Sequence, residues 1–441
     1  MSKWRRHLVF GKRLRAGATA SRQVLTGIDI LHGHVCVPLV FVYKRGFDIE
    51  LAERGMRELL QHYPLVTGRI KKDAHGEVYL DADDSGIDFT VYRCDGAMPY
   101  GEHNPLGDDL LRFYKRFMPW QVVGKDQPVL QVEIHRYDDG GIVMCVCIAH
   151  SIFDGSSFFG FMVNWSRACR GLPIEVPSFD RSVMIKAGQA DIDTKGFGLI
   201  YPPPLLKGVG IMARLGWRAF TDMKKEIFRI PAATVQKWKD EARAVLPESA
   251  SVNTGKLVSS YVLKALSPLM PPDVPRSIGM ALDMRYVKGL ALPRDYFGNG
   301  LCYAQAFFSE QELAQENLSV LAEKCRPAAD QVSAGYVSKL LAVAERHRQQ
   351  NTIWRLIFQP AIDTLGGGIV QNNLSLLPIY DVDLGNGTPD WYETFAMTIR
   401  MMALVSTPAK DGGVDLHMAA SWAELKALRA QLLADGISQF R

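Results

Sequence analysis

The sequence predicts an α/β fold built in two halves, and three observations carry that expectation. The chain has 441 residues, more than one hydrophobic core usually serves, so two domains are expected. Stretches of helical and strand-like periodicity alternate along both halves. Between about Leu172 and Thr221, Pro173, Pro177 and the run Pro202-Pro203-Pro204 interrupt any regular element, as a long connection would. The expected division is a first half over 1–171, a crossover over 172–221 and a second half over 222–441.

Taken in order, the elements begin with a basic lead-in. Lys3, Arg5, Arg6, Lys12, Arg13 and Arg15 gather charge at the N-terminus with no apolar run behind them, so a solvated approach to a first strand is expected rather than a signal peptide. His32 and His34 form an HxH on an expected strand. A metal would want a third ligand and Asp29 is the only nearby carboxylate, so no metal is expected. Leu39–Tyr43 and Val129–Arg136 have the composition of strands, and Ile49–Gln61 the pattern of an amphipathic helix. Gly141 to His150 (GIVMCVCIAH) is continuously apolar, which predicts a strand covered on both faces. Ser156 or Ser157 can cap the helix that follows, which carries Phe158, Phe161, Met162 and Trp165 and ends near Gly171. Within the crossover, Ile211 to Phe220 is a short amphipathic segment expected to pack against the protein rather than lie on a membrane. In the second half Leu257–Leu266 and Glu310–Gln350 are helical in pattern, Ile278–Met284 and Val414–Ala420 strand-like, and Trp422–Leu433 a closing helix. No fixed-period repeat is visible, which sets aside solenoids and propellers.

Composition narrows the class. Hydrophobic residues at 47% and charged residues at 22% are an ordinary globular mixture and argue against disorder. A net charge of +4 suits an anionic ligand and is too small to indicate nucleic acid. Seven cysteines are an odd number without a CxxC pair, so reduced thiols in a cytoplasmic protein are expected. Cys145 and Cys147 alternate about Val146 and project from one side of their strand. No run of about 18 apolar residues could span a bilayer.

The chemistry concentrates at His150-Ser151-Ile152-Phe153-Asp154-Gly155. A histidine leaving a buried strand sits on a short rigid loop with its ring free to face a cleft, and imidazole accepts protons in the neutral range. Asp154 can steer the loop or the ring, and Gly155 permits a turn that a Cβ would block. A GxSxG elbow, a phosphate loop and a GxGxxG fingerprint are all missing, against a serine hydrolase, a P-loop enzyme and a nicotinamide-binding half. Asn253-Thr254-Gly255-Lys256 lacks the leading glycine of a phosphate loop.

With four further segments in the same order, this hexapeptide resembles the BAHD acyltransferases. Leu25-Thr26-Gly27-Ile28-Asp29 is similar to their early Leu-Ser-x-x-Asp, and Pro64 to Ile70 (PLVTGRI) to their PLAGRL stretch. Asp283-Met284-Arg285 with Tyr296-Phe297-Gly298-Asn299 resembles their Asp-x-Arg and YFGN pair, and Leu377 to Gly387 the segment ending in DFGWG. The resemblance implies two chloramphenicol-acetyltransferase-like domains with mixed sheets flanked by helices. It implies His150 as general base and Asp383 as a second catalytic residue, on a loop that shapes the protein. Asp154, Gly155, Arg285 and Asn299 become supports, Asp154 being paired with Arg285. Lys256 and Lys264 fall on the segment lining the donor side, and Lys256 is the candidate for CoA. Acyl-CoA is then a co-substrate, the partner a small-molecule acceptor with a hydroxyl or amine, and the enzyme a cytoplasmic monomer without a permanent cofactor. Leu384 and Asn386 stand where the family has Phe and Trp. Ala149 stands where condensation domains carry a second His, which favours free CoA over a carrier protein. Two alternatives stay open: a carrier-protein-dependent condensing enzyme, and a silent scaffold member of the superfamily. A trimeric chloramphenicol-acetyltransferase-like enzyme fits less well, because the chain is too long and its His too early.

Overall fold

The computed structural model describes residues 5–20, 22–99, 113, 117–189, 191–394 and 399–437; Lys3 lies outside them. Two six-stranded mixed sheets organise the molecule. In the first, the spatial order is Arg6–Leu14, Ile87–Cys94, Leu130–Tyr137, Ile142–Ala149, Cys36–Tyr43 and Trp391–Thr394. Its pairs are antiparallel except Ile87–Cys94 against Leu130–Tyr137. The strand Ile142–Ala149 is buried at every position, as its unbroken apolar run demands, since no residue in it suits water. In the second sheet the order is Met223–Ile230, Val414–Ser421, Met401–Ser406, Gly367–Asn373, Arg276–Asp283 and Leu301–Phe308.

Each sheet has its own core. The first packs its strands against the helices Ile49–His62 and Gly155–Cys169, through residues such as Phe41, Met56, Phe158 and Trp165. The second packs against the helices Thr254–Leu266 and Trp422–Ala434, through Leu257, Leu263, Leu416 and Leu428. A third apolar cluster joins the short helix Gly27–His32, the crossover helix Ser182–Gln189 and the long helix Ala334–Gln349 through Ile28, Met184 and Leu341.

Several expectations need correcting. The division at 222 is not clean, because Trp391–Thr394 pairs with Cys36–Tyr43 in the first sheet and Ile379, Tyr380, Val382 and Leu384 fill the first core. The crossover is not without regular structure: it holds two helices, Ser182–Gln189 and Leu205–Thr221, and the short strand Ile200–Tyr201. The basic residues are not all a lead-in: Arg5 precedes the first strand and Arg15 follows it, whereas Arg6, Lys12 and Arg13 lie on it, at the exposed sheet edge. Reduced thiols fail at one pair, since Cys36 and Cys147 are disulfide-bonded. Their strands are antiparallel neighbours, and a Cα separation of 6.0 Å suits the bond. The other five cysteines are free and buried. Among the described residues, no helix is long and apolar enough to cross a membrane.

Candidate active site

His150 follows directly on the strand Ile142–Ala149 and precedes the helix Gly155–Cys169. Its backbone is fixed at both groups: the amide donates to the Val35 carbonyl at 3.0 Å, and the carbonyl accepts from Asn299 Nδ2 at 2.8 Å. The residue is part-exposed, whereas its Nδ1 is buried without a hydrogen-bond partner. Loops from both halves therefore meet at the His150 backbone.

Asp154 makes the turn that leads into the helix. Its Oδ1 accepts from the Ser157 amide at 2.8 Å as the N-cap, so the cap is Asp154 and not Ser156 or Ser157. Both serines are instead free to reach the second half. Ser156 Oγ donates to Asp283 at 2.6 Å, and Ser157 Oγ donates to the Gly298 carbonyl at 2.9 Å. Arg285 holds Asp154 in two-point fashion, at 2.7 and 3.1 Å, and also donates to Asp283 and to the Tyr296 and Gly298 carbonyls. The Gly300 amide adds a bond to Asp154 at 2.7 Å. Asp154 and Arg285 are both buried. Burial alone would raise the Asp154 carboxyl, but the Arg285 charge and hydrogen bonds and the two amides outweigh it and hold it below its ordinary range. Arg285 is pushed up: desolvation opposes its charge, and Asp154 and Asp283 more than restore it.

Gly155 sits where its neighbour needs space. It opens the helix without a left-handed φ, and a Cβ there would lie 3.1 Å from Leu377 Cδ1. The expectation of a special turn is thus replaced by close packing of the 374–377 segment on the His150 loop.

A second buried carboxylate holds the other side. Asp29 forms a capping box with Thr26 at the start of Gly27–His32. It also accepts from Arg181 Nε at 3.0 Å and from Asn299 Nδ2 at 3.1 Å. With both Nδ2 hydrogens committed, to Asp29 and to His150, Asn299 holds the His150 loop. Arg181, in the crossover, escaped sequence reasoning because nothing local marks it.

His32 is the other residue that sequence reasoning misplaced. It ends the helix Gly27–His32, not a strand, and Gly33 terminates that helix at φ +80°. The ring stacks on His150 with centroids 5.1 Å apart and 24° between planes. Its Nδ1 bonds the Ile28 carbonyl at 2.9 Å, so that nitrogen carries the hydrogen and Nε2, buried and unpaired, is an acceptor. Desolvation, then the nearby His150, lowers the His32 pKa to about 4. His34 points elsewhere, to Ser151 Oγ at 2.8 Å. Among the described residues no cluster could hold a metal.

Asp383 does not join this cluster. Its Oδ1 accepts from the Gly385 and Gly387 amides at 2.9 Å, and its amide donates to Ser166 Oγ. Leu384 is buried in the first core, and Asn386 Nδ2 donates to the Arg45 and Gly46 carbonyls at 3.1 Å. The carboxylate is thus spent on shaping a glycine turn beside the strand Cys36–Tyr43, away from the catalytic role expected for it.

A cavity of about 720 Å³ opens in the second half. Asn253, Thr254 and Gly255 at the start of a helix line it, with Lys239, Arg243, Asn373 and Ser375. Its Asn373–Leu376 wall runs directly into the Leu374 and Leu377 side chains that pack on Gly155. Lys256 is not among the lining residues: it is buried, and its ammonium donates to the Ser251 carbonyl. Lys264 is bound to the Glu316 carbonyl. Lys239 and Arg243 went unnoticed in the sequence because they are two of many cations on a surface helix.

The sequence profile described as "Transferase family" matches residues 19–432. A hydroxycinnamoyl-CoA:5-hydroxyanthranilate N-hydroxycinnamoyltransferase of Avena sativa is 23% identical, over 96% of this chain and 98% of its own. Vinorine synthase has the same fold, with a TM-score of 0.72 at 17% identity and 98% of both chains covered. So does F. sporotrichioides TRI101 complexed with coenzyme A and T-2, at 0.74 and 16% identity, covering 95% of this chain and 98% of that one. Because the profile match runs over nearly the whole sequence, this chain belongs to the transferase family of BAHD-type acyltransferases.

Proposed function

We propose that the protein transfers an acyl group from acyl-CoA to a hydroxyl or amine of a small acceptor, in a ternary complex, with His150 as general base. The observation that carries this reading is the His150 imidazole, part-exposed and backbone-clamped where loops of both halves meet. With Nδ1 buried, Nε2 is the nitrogen offered to a substrate. It takes the proton as the acceptor oxygen or nitrogen attacks the thioester carbonyl. The C–S bond then breaks, and the imidazolium returns the proton to the departing thiolate. A thioester is already activated, so neither a covalent enzyme intermediate nor a metal is needed. Fixed hydrogen-bond donors to the developing oxyanion would contribute about 3–4 kcal/mol.

The cavity beside Gly255 suits the CoA portion. Lys239 and Arg243 supply positive charge, with Glu248 on the same lining. The helix start, whose Lys256 amide is already capped by Asn253 Oδ1 at 3.0 Å, leaves the Thr254 and Gly255 amides for an anion. Lys256, engaged with Ser251, instead braces that helix start. Arg285, Asp154 and Asn299 act by holding the loop. Operation as a cytoplasmic monomer belongs to the same proposal, and size-exclusion with light scattering tests the monomer.

Offering acyl-CoA and acyl-loaded carrier protein in parallel, with free thiol and acylated product followed by mass spectrometry, tests the donor. Turnover with acyl-CoA alone is expected. Turnover only with the carrier would favour a condensing enzyme, and none with either would favour a scaffold.

A further inference from the structure

The crossover helix Leu205–Thr221 is not packed as its amphipathic sequence predicts. Of its large apolar residues Ile211 is buried, while Leu205, Leu206, Val209, Met212 and Trp217 face solvent, Leu206 at 87% and Trp217 at 71% exposure. At 100° per residue, Leu206, Val209, Ala213 and Trp217 fall on one stripe, with Met212 beside it, opposite Ile211. The helix carries Lys207, Arg214 and Arg218 and no carboxylate, the first acidic residue being Asp222 at its C-cap. Arg218 is turned inward to the Thr364 carbonyl at 2.8 Å, leaving Lys207 and Arg214 along the outer flank. Three glycines, Gly208, Gly210 and Gly216, each weaken an isolated helix by about 1 kcal/mol relative to alanine. Gly210 and Gly216 have open space beside them, so packing does not require them.

An apolar stripe with an exposed Trp, edged by cations and without acidic residues, is the pattern of a helix lying in a lipid interface. Charge argues against this helix pairing with its own copy, since two such helices face to face would oppose like charges. We propose that Leu205–Thr221 docks the enzyme peripherally on an anionic phospholipid surface, with Leu206, Val209, Met212 and Trp217 entering the acyl boundary and Lys207 and Arg214 meeting the headgroups.

The test is sedimentation of the full chain with vesicles of phosphatidylcholine alone or with about 30% phosphatidylserine, at low and high salt. The expected result is binding to the anionic vesicles, weakened at least several-fold by salt, with a blue shift of tryptophan emission lost in Trp217→Tyr. Leu206→Glu/Val209→Glu should abolish binding while leaving melting temperature and transfer between soluble substrates unchanged. Absence of wild-type binding to either vesicle, or undiminished binding of the double variant, would overturn the proposal. A dimer in solution that the double variant dissolves would also overturn it, in favour of self-association.

Discussion

Two stacked imidazoles occupy the centre, and their environments divide their work. His32 is desolvated and held neutral, its pKa lowered to about 4, whereas an unfolded chain's histidine titrates near 6.5, about the ordinary value. As pH falls from about 6.5 towards 4 the unfolded state binds the proton first, so stability present at neutral pH is progressively lost. His34, desolvated to about 4 as well, adds to the same trend. Melting temperature should therefore fall between pH 7 and pH 5, and His32→Phe, which keeps a stacked ring but cannot titrate, should flatten the fall. Equal slopes for the two proteins would refute this. His150 was legible because its motif is local and ends an apolar run. His32 was not, since an HxH suits a strand equally well. What decides is the helix ending at Gly33, fixed by the packing of Gly27–His32 on Ala334–Gln349.

That packing sets the behaviour of elements. A Cβ on Gly27 would approach the Ala344 backbone to 2.5 Å, and Glu345 accepts from the Gly27 amide. Gly27→Ala should thus lower stability by about 1–3 kcal/mol, as overpacking does, and reduce turnover by displacing His32 and Asp29. Denaturant melts with parallel kinetics would check both. The helix Gly155–Cys169 depends on Asp154, whose two oxygens serve a cap and an ion pair. Arg285→Ala leaves that carboxylate buried and uncompensated and should remove about 3–5 kcal/mol; a loss of turnover at unaltered stability would instead give Arg285 a direct part in the reaction. The sequence showed a helix start here but not its cap, because the choice among Asp154, Ser156 and Ser157 is made by partners more than 120 residues away.

At the scale of the molecule the halves are not separable. Residues 1–221 lack Trp391–Thr394 and the core residues Ile379, Tyr380, Val382 and Leu384, so this fragment expressed alone should aggregate or stay molten. A cooperative melt from the isolated fragment would contradict the shared core. Periodicity revealed the individual elements of both sheets, since burial imposes it locally. It could not reveal that a late strand returns to the first sheet, because pairing across some 350 residues leaves no local trace. The cavity proposed for CoA was hidden for the same reason. Lys239→Glu/Arg243→Glu should raise KM for acyl-CoA about tenfold or more with kcat little changed, the sign of lost uniform binding.

The proposed function rests on proton removal by one histidine. The most direct measurement is kcat/KM for acyl transfer by His150→Ala, with melting temperature and CoA affinity determined on the same preparation. The account predicts a loss of about 10²-fold or more with fold and CoA binding intact; wild-type turnover in that variant would contradict it.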